Sequence, residues 1–206
     1  MPSDLINTAA AAAGIPAGVI PVELAKAYRL LNHGPVTLVT SAHGGRRNVM
    51  AASWAMPLDF KPAKVVVVID ASTLTRELVE ASGEFALNIP ARSQASATLA
   101  VGSRSGRETD KFAAAGLSTF PAREIGAPLL AGCLGWLECR VIPEPQNAAR
   151  HDLFIAEVVA AWADSAAFSA GRWHFPDSER RSMHYLAGGA FFATGEAFEV
   201  ETEGDA

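Results

Sequence analysis

Short apolar runs that contain many β-branched residues recur along the chain, separated by glycine, proline and polar turns. These runs predict β-strands at residues 36–41, 48–56, 64–70, 85–89, 134–142 and 153–162. The run from Val65 to Ile69 is apolar on both faces, which predicts a strand near the centre of a sheet. Gly44 and Gly45 separate the first two runs, so we expect a hairpin there.

Helical spacing and helix-start signals fall between the strands. They predict helices at residues 22–32, 72–83, 93–101 and 105–116. The last of these would begin at a capping box formed by Ser105 and Glu108. Residues 57–62 and 143–150 are expected to be loops, and the chain beyond Gly171 irregular. Because strands and helices do not alternate regularly, the pattern favours a mainly antiparallel β-barrel with peripheral helices over a doubly wound sheet.

Size and composition are those of one folded domain. The chain has 206 residues, half of them hydrophobic, and a mean hydropathy of +0.17. A chain of this length buries roughly 70% of its unfolded surface, and its apolar content excludes intrinsic disorder. We predict a domain at residues 21–195, with an N-terminal arm at residues 1–20 before it and an acidic tail at residues 196–206 after it.

The charge balance and the cysteines exclude several classes of protein. Seventeen basic and 22 acidic residues make the chain acidic, which argues against nucleic-acid binding. The sequence contains no run of eighteen apolar residues, the length needed to span a membrane. The alanine-rich arm lacks the basic residues with which a signal peptide begins. Cys133 and Cys139 form no disulfide framework and no C-x-x-C motif, so we expect a cytoplasmic protein. Both cysteines are interpreted as structural, on the same face of a strand.

Signatures of common catalytic sites are missing from the sequence. The segment from Gly102 to Gly106 resembles a nucleophile elbow, but arginine occupies the position of the serine. Neither a Walker loop nor a G-x-G-x-x-G motif after a strand is present. The five histidines lack metal-ligand spacing. We therefore predict no metal site and name no catalytic residue.

Three groups of residues are compatible with a bound ligand. Ser72, Thr73 and Thr75 stand at a helix start, where they suit a phosphate, although N-capping alone also explains them. The segment from Ser103 to Lys111 contains two arginines and a lysine, which fit an anion site or a solvated turn. The segment from Asn48 to Trp54 has small residues beside a tryptophan. These would either admit a flat ligand or pack a tight core.

The three groups are part of a longer ordered series of motifs. The series is Gly34-Pro35-Val36-x-Leu38-Val39-Thr40, Asn48-x-Met50-x-x-Ser53-Trp54, Ser72-Thr73-x-Thr75, Ser82-Gly83-Glu84-Phe85-x-x-Asn88, Ser105-Gly106-Arg107-x-x-Asp110-Lys111-Phe112, Ala127-Pro128-Leu129 and Trp136-Leu137-Glu138-Cys139. It resembles the flavin reductase-like, FMN-binding split-barrel family, and in particular its flavoredoxin branch. The resemblance extends from about residue 30 to residue 163.

The resemblance implies a six-stranded antiparallel split β-barrel of Greek-key topology, in a homodimer with the flavin near the subunit interface. It implies that the FMN ring lies along Asn48, Val49, Met50, Ala51, Ala52, Ser53 and Trp54. It implies that the FMN phosphate is held by Ser72, Thr73, Thr75, Ser103, Ser105, Gly106 and Lys111. For Lys111, an ion pair with Asp110 or Glu108 is the alternative. The segment 184–189 would return toward the flavin, followed by an aromatic contact from Phe191 or Phe192.

The activity implied by the resemblance is that of an FMN-dependent oxidoreductase. It would take hydride from NAD(P)H and pass electrons to an acceptor such as a monooxygenase or another redox protein. This chemistry belongs to the cofactors and requires no general acid or base. Two alternatives stand beside it. One is a flavoredoxin-like electron-transfer protein that carries FMN without using nicotinamide. The other is a split-barrel binding protein without flavin.

Overall fold

The computed structural model describes residues 14–200. Its strands, in chain order, are β1 (Val19–Pro21), β2 (Thr37–His43), β3 (Arg46–Ala52), β4 (Ala55–Phe60), β5 (Ala63–Val68), β6 (Glu84–Ile89), β7 (Thr119–Phe120), β8 (Leu129–Leu130), β9 (Gly135–Ile142), β10 (Leu153–Asp164), β11 (Phe168–Ser169), β12 (Arg172–Trp173), β13 (Met183–Ala187) and β14 (Ala190–Ala193). Its α-helices are α1 (Leu74–Ser82), α2 (Ala95–Gly102), α3 (Lys111–Ala114) and α4 (Pro145–His151), and 3₁₀ helices cover Leu24–Leu30 and Arg92–Gln94.

The main sheet curves into a barrel whose wall is split. Its strands follow the order β3-β2-β6-β9-β10-β5-β4, all antiparallel, and β1 adds to β10. β3 and β4 stand at opposite ends of this order, yet only Ser53 and Trp54 separate them along the chain. Two residues span at most about 11 Å between flanking Cα atoms. The ends of the sheet therefore meet, and Ser53 and Trp54 bridge the split.

The long apolar runs arise because both faces of the sheet are buried. Neighbouring residues such as Leu38 and Val39, or Trp136 and Leu137, belong to different hydrophobic clusters. Successive side chains of a strand point to opposite faces, so one cluster fills the barrel and the other packs outside it. The mainly antiparallel barrel with peripheral helices is confirmed, but the sheet has eight strands where the resemblance implied six.

Local signals placed most elements correctly. Gly44 and Gly45 have φ of 57° and 77°, as a tight hairpin between β2 and β3 requires. Thr73 caps α1, and Gly83 ends it with φ of 72°. The helix predicted at residues 22–32 is a shorter 3₁₀ helix. β5 pairs with β10 on one side and with β4 on the other, so it is an internal strand of the sheet, as predicted, although it is next to the terminal strand β4.

Three segments predicted as irregular have regular structure. The expected loop at residues 57–62 is largely the end of β4, which tolerates Pro57 because β4 pairs with only one neighbour in the sheet. The expected loop at 143–150 contains α4, which has proline at its start. In the tail beyond Gly171, β13 and β14 form a hairpin with Gly188 and Gly189 at its turn.

Two further expectations are wrong. α3 begins at Lys111 and is capped by Asp110, whose carboxylate accepts hydrogen bonds from the N–H groups of Phe112 and Ala113, so the Ser105 capping box does not start it. Cys133 precedes β9, and the two cysteines lie in different clusters rather than on one face. Residues 1–13 of the arm and residues 201–206 of the acidic tail lie outside the described residues. Between residues 14 and 200, no helix has the length and apolarity to cross a membrane.

Candidate functional site

A cavity of about 170 Å³ opens beside the split in the barrel. The cavity is lined by Ala51 at the end of β3, by Ser53 in the bridge between β3 and β4, and by Ser103 just after α2. The hairpin of β13 and β14 closes the cavity with Tyr185 and Phe191. The fold therefore brings together residues from two of the three groups selected in the sequence, and adds an aromatic wall.

The edge of β3 turns backbone groups toward this side of the molecule. Among the described strands β3 pairs with β2 alone, and the Val49 carbonyl accepts a hydrogen bond from Lys111. Backbone polar groups alternate in direction along an antiparallel edge strand, so those of Ala51 also point away from β2. The carbonyl of Leu38, opposite Ala51, accepts from Asn88 on β6, in agreement with this register. The strand thus offers backbone groups to a planar heterocycle.

Asn48, Thr75 and Gly106 meet although they are far apart in sequence. The Asn48 Nδ2 donates to Thr75 Oγ1 at 2.9 Å, and both side chains are buried. A Cβ at Gly106 would lie 2.1 Å from Asn48 Oδ1. Glycine is therefore required at 106 because the backbone approaches the amide so closely. This contact joins β3, α1 and the segment after α2.

We expect Gly106→Ala to lower the free energy of unfolding by about 1–3 kcal/mol, because Asn48 is held by Thr75 and has no room to move. The measurement is urea unfolding. Gly126→Ala is the matched control, since a Cβ there would meet Glu84 Oε2 at an ordinary 3.7 Å. Equal stability losses in the two variants would show that the contact at residue 106 imposes no constraint.

The remaining hydroxyls at the start of α1 are used within the cap. Thr73 Oγ1 accepts from the Arg76 N–H and donates to the Asp70 carbonyl. Ser72 Oγ donates to Asp70 Oδ1 at 2.6 Å, and this hydrogen bond holds the pKa of Asp70 below its ordinary value. Thr73 is the cap of α1 and Ser72 binds the Asp70 carboxylate, whereas Thr75 connects α1 to β3.

Two arginines converge on one carboxylate near this contact. Arg46 and Arg107 each bind Glu77 at 2.6 Å, on separate carboxylate oxygens. These hydrogen bonds lower the pKa of Glu77. Ser105 lies in the same segment, and its hydroxyl accepts from the Arg107 N–H. Sequence reasoning missed Arg46, because only the packing of the β2–β3 hairpin on α1 brings it close to Arg107.

Lys111 is buried and binds backbone carbonyls. Its Nζ donates to the carbonyl of Val49 at 3.0 Å and to that of Val101 at 2.7 Å. Burial lowers the pKa of this ammonium group. Among the described residues it forms no ion pair with Asp110 or Glu108. The side chain ties β3 to the last turn of α2.

Thr98 is a further residue that sequence reasoning missed. Its side chain is 1% exposed, and its Oγ1 has no hydrogen-bond partner among the described residues. Thr98 nevertheless lines the cavity. A buried hydroxyl without a partner costs stability, and a ligand in the cavity would supply one. Nothing in the apolar run around Thr98 distinguishes it from an ordinary helix residue.

The other selected residues divide between core and surface. Val49 is buried in one of the two hydrophobic clusters and Ala52 in the other, and Met50 packs against the cluster that contains Ala52. Trp54 is 73% exposed, so it is not a core residue. Burial raises the pKa of both cysteine thiols, which makes them poor nucleophiles. In the described part of the chain, no group of His, Cys, Asp or Glu could hold a metal ion.

The profile of the flavin reductase like domain matches residues 29–184, three quarters of the chain. The chain belongs to the flavin reductase-like family. It is 45% identical over 179 residues to YddH of Escherichia coli, covering 85% of this chain and 95% of YddH. The resemblance noted in the sequence is therefore confirmed.

Solved structures agree with this family and with the fold. An FMN-binding domain of a flavin reductases-like enzyme from Shewanella baltica superposes with a TM-score of 0.87 at 48% identity, over 89% of this chain and 97% of that one. Flavoredoxin of Desulfovibrio vulgaris superposes with a TM-score of 0.72 at 24% identity, over 84% and 92% of the two chains. At that identity flavoredoxin supports the split-barrel fold alone.

Proposed function

We propose that this flavin reductase-like protein binds FMN beside the split of its barrel and reduces it with NAD(P)H. The observation that carries the proposal is the convergence of Ala51, Ser53 and Ser103 on one cavity next to the outward-facing edge of β3. The similar Shewanella domain, described as FMN-binding, supports the choice of cofactor. The acceptor we propose is a monooxygenase or another redox protein.

The residues around the cavity fit a flavin. The backbone groups of β3 and the Thr98 hydroxyl, which has no partner among the described residues, would bind the polar atoms of the flavin ring. Tyr185 and Phe191 would contact the apolar part of the same ring. Thr75, Ser105 and the arginines bound to Glu77 would provide the donors for the phosphate.

When bound, the flavin supplies the redox chemistry, accepting hydride from a nicotinamide and releasing electrons to an acceptor. The protein groups bind and orient the cofactor and exclude water.

The decisive test is a visible absorption spectrum of the protein after addition of FMN and desalting, followed by anaerobic addition of NADH or NADPH. Retained flavin bands that bleach with nicotinamide are the expected result. Retained bands that bleach only with dithionite or a reduced redox protein would favour the flavoredoxin-like alternative. Absence of bands, together with no turnover of free FMN, would leave a binding protein without flavin.

Thr98→Val separates binding from stability. We expect it to weaken FMN binding about tenfold, because the cofactor loses a buried hydrogen-bond partner. The flavin-free variant should be no less stable than wild type, since valine removes an unsatisfied hydroxyl. Fluorescence titration and thermal melting measure the two effects. In the control Thr40→Val, a hydroxyl bound to the Pro128 carbonyl is lost, so stability should fall instead.

We also propose that the protein is a homodimer formed through β4. A stripe of apolar side chains between 49% and 73% exposed runs from the bridge residue just before this terminal strand to its end: Trp54, Met56, Leu58 and Phe60. The cavity of about 170 Å³ is smaller than the roughly 300–1,000 Å³ of most small-molecule sites, so a second subunit would complete it.

Replacing Met56 and Phe60 together by serine should convert a dimer to a monomer in sedimentation velocity and weaken FMN binding in parallel. The control is Leu24→Ser, an exposed apolar residue in the 3₁₀ helix Leu24–Leu30, outside the stripe. A monomeric wild type, or a double variant that remains dimeric, would contradict this interface.

A further inference from the structure

We propose that His33 is a positioning residue that holds the β13–β14 hairpin in place as the aromatic wall of the cavity. The inference rests on the proposed function, because the hairpin matters only if the cavity binds a ligand. His33 does not line the cavity itself. It acts through the two residues at the base of the hairpin, Ser182 and Thr194.

The hairpin is a separate two-stranded sheet that depends on contacts at its base. Tyr185 and Phe191 stand opposite each other near its turn, with ring centroids 5.3 Å apart, and both line the cavity. The hairpin is tied to the barrel where the Val36 N–H donates to the Met183 carbonyl at 2.8 Å. The turn of the hairpin lies close to Leu99, so the hydrogen bonds at the base, several residues from the aromatic wall, act together with this contact to set the position of the wall.

A chain of hydrogen bonds connects His33 to this base. His33 Nε2 lies 2.7 Å from Ser182 Oγ, and Ser182 Oγ lies 2.5 Å from Thr194 Oγ1. The Thr194 hydroxyl donates its single hydrogen to the Ser182 carbonyl. Ser182 must then donate to Thr194 and accept from His33, so the network assigns the proton of the neutral imidazole to Nε2.

The remaining atoms of His33 show what the ring is used for. Nδ1 is buried and has no partner among the described residues. The ring is held by edge-on aromatic contacts, with centroids 5.5 Å from Trp173, 6.5 Å from Phe175 and 6.1 Å from His184. A buried nitrogen without a partner is unfavourable. Within residues 14–200 the polar contact of the imidazole is the hydrogen bond to Ser182, and this bond connects the ring to the hairpin.

His33 also acts on the cavity from the other direction along the chain. Only Gly34 and Pro35 separate it from Val36, which lines the cavity and carries the N–H that binds Met183. Proline fixes the φ angle of its own residue, which limits the freedom of this short link. A displacement of the imidazole would therefore shift both Val36 and the β13–β14 hairpin.

The test compares His33→Gln with His33→Asn in the flavin-free protein. Glutamine places its amide nitrogen near the position of Nε2, whereas the shorter asparagine does not reach Ser182. Hydrogen exchange of the Thr194 and Val36 amides, which bond to Ser182 and Met183, reports the anchoring directly by NMR. We expect about tenfold faster exchange in His33→Asn, and near wild-type exchange in His33→Gln.

FMN titration of the same variants gives the second readout. His33→Asn should weaken binding about tenfold, and His33→Gln should restore it. Ser182→Ala removes only the hydroxyl and should weaken FMN binding as much as His33→Asn does. It keeps the test valid if the His33→Asn variant fails to fold.

The inference is overturned if exchange in His33→Asn and Ser182→Ala equals that of wild type, or if exchange rises while FMN affinity is unchanged. If wild type binds no FMN, the proposed function fails, while the exchange data still decide whether His33 anchors the hairpin.

Discussion

Replacing Lys111 by methionine should lower the free energy of unfolding by about 2–4 kcal/mol and weaken FMN binding at least tenfold. The loss arises because the ammonium group satisfies two carbonyls that have no other source of a hydrogen bond in their elements. Val49 belongs to the edge of β3, and Val101 to the final turn of α2. Carbonyls at both kinds of position lack a partner within their own strand or helix.

The flavin effect follows from the same contact. Without Lys111, β3 would lose its hydrogen-bonded link to α2 and keep only the direct packing of Ala51 against Gly102, so Ala51 and Ser103 would be held less firmly on the two sides of the cavity. Urea unfolding and fluorescence titration with FMN measure the two losses. This would make Lys111 a structural support of the site, whereas the resemblance placed it at the phosphate.

Lys64→Met is the matched control for Lys111→Met. Lys64 forms a partly exposed ion pair with Asp59 at 3.0 Å, and such pairs contribute about 0–1 kcal/mol. Losses of similar size at the two lysines would contradict the role assigned to Lys111. A large loss of stability with unchanged FMN affinity would separate its support of the fold from any support of the site.

Acidification from pH 7 to pH 5 should remove about 2 kcal/mol of stability through His33 alone, rising to about 3 kcal/mol at pH 4. Burial, and to a lesser extent the neighbouring His184, lower the pKa of His33 to about 4. In the unfolded chain this imidazole titrates near 6.5. Between these values the unfolded state binds a proton that the folded state excludes, so stability falls as pH falls.

The measurement is urea unfolding across this pH range in wild type and in His33→Gln. Glutamine cannot titrate, so the variant should lose most of the difference in stability between pH 7 and pH 5. The carboxylates of Asp59, Asp70 and Glu77 have lowered pKa values, and their contribution is lost mainly below pH 4.5. An equally steep pH dependence in His33→Gln would show that the acid sensitivity has another origin.

The sequence predicted the barrel well because its strands are local features. The runs at residues 36–41 and 85–89 alternate between two buried faces, and that pattern alone identifies them as strands. The sequence-based prediction failed at β4, because the segment from Pro57 to Pro62 has the composition of a loop. The segment is a strand because it pairs with β5 on one side, and no residue within the segment indicates this pairing.

Within the candidate site, the sequence selected Ala51, Ser53 and Ser103, and the fold placed all three on one cavity. It could not select Thr98, because a threonine in a helix gives no sign that its hydroxyl lacks a partner. For Ser72 the sequence left capping and phosphate binding open and the resemblance implied the phosphate; in the described structure its hydroxyl donates to Asp70. The direction of a side chain depends on the segments packed around it, which are distant in sequence.

Six strand-forming runs, the helix that follows Thr73, the hairpin at Gly44 and Gly45 and the family could all be predicted from the residues alone, since each depends on residue order over short distances. Which polar groups meet depends instead on contacts between distant parts of the chain. His33 and Ser182 are 149 residues apart, and Lys111 and Val49 are 62 apart. Such contacts are set by how the sheet closes and how helices pack against it. No local pattern of hydrophobic and polar residues encodes that geometry.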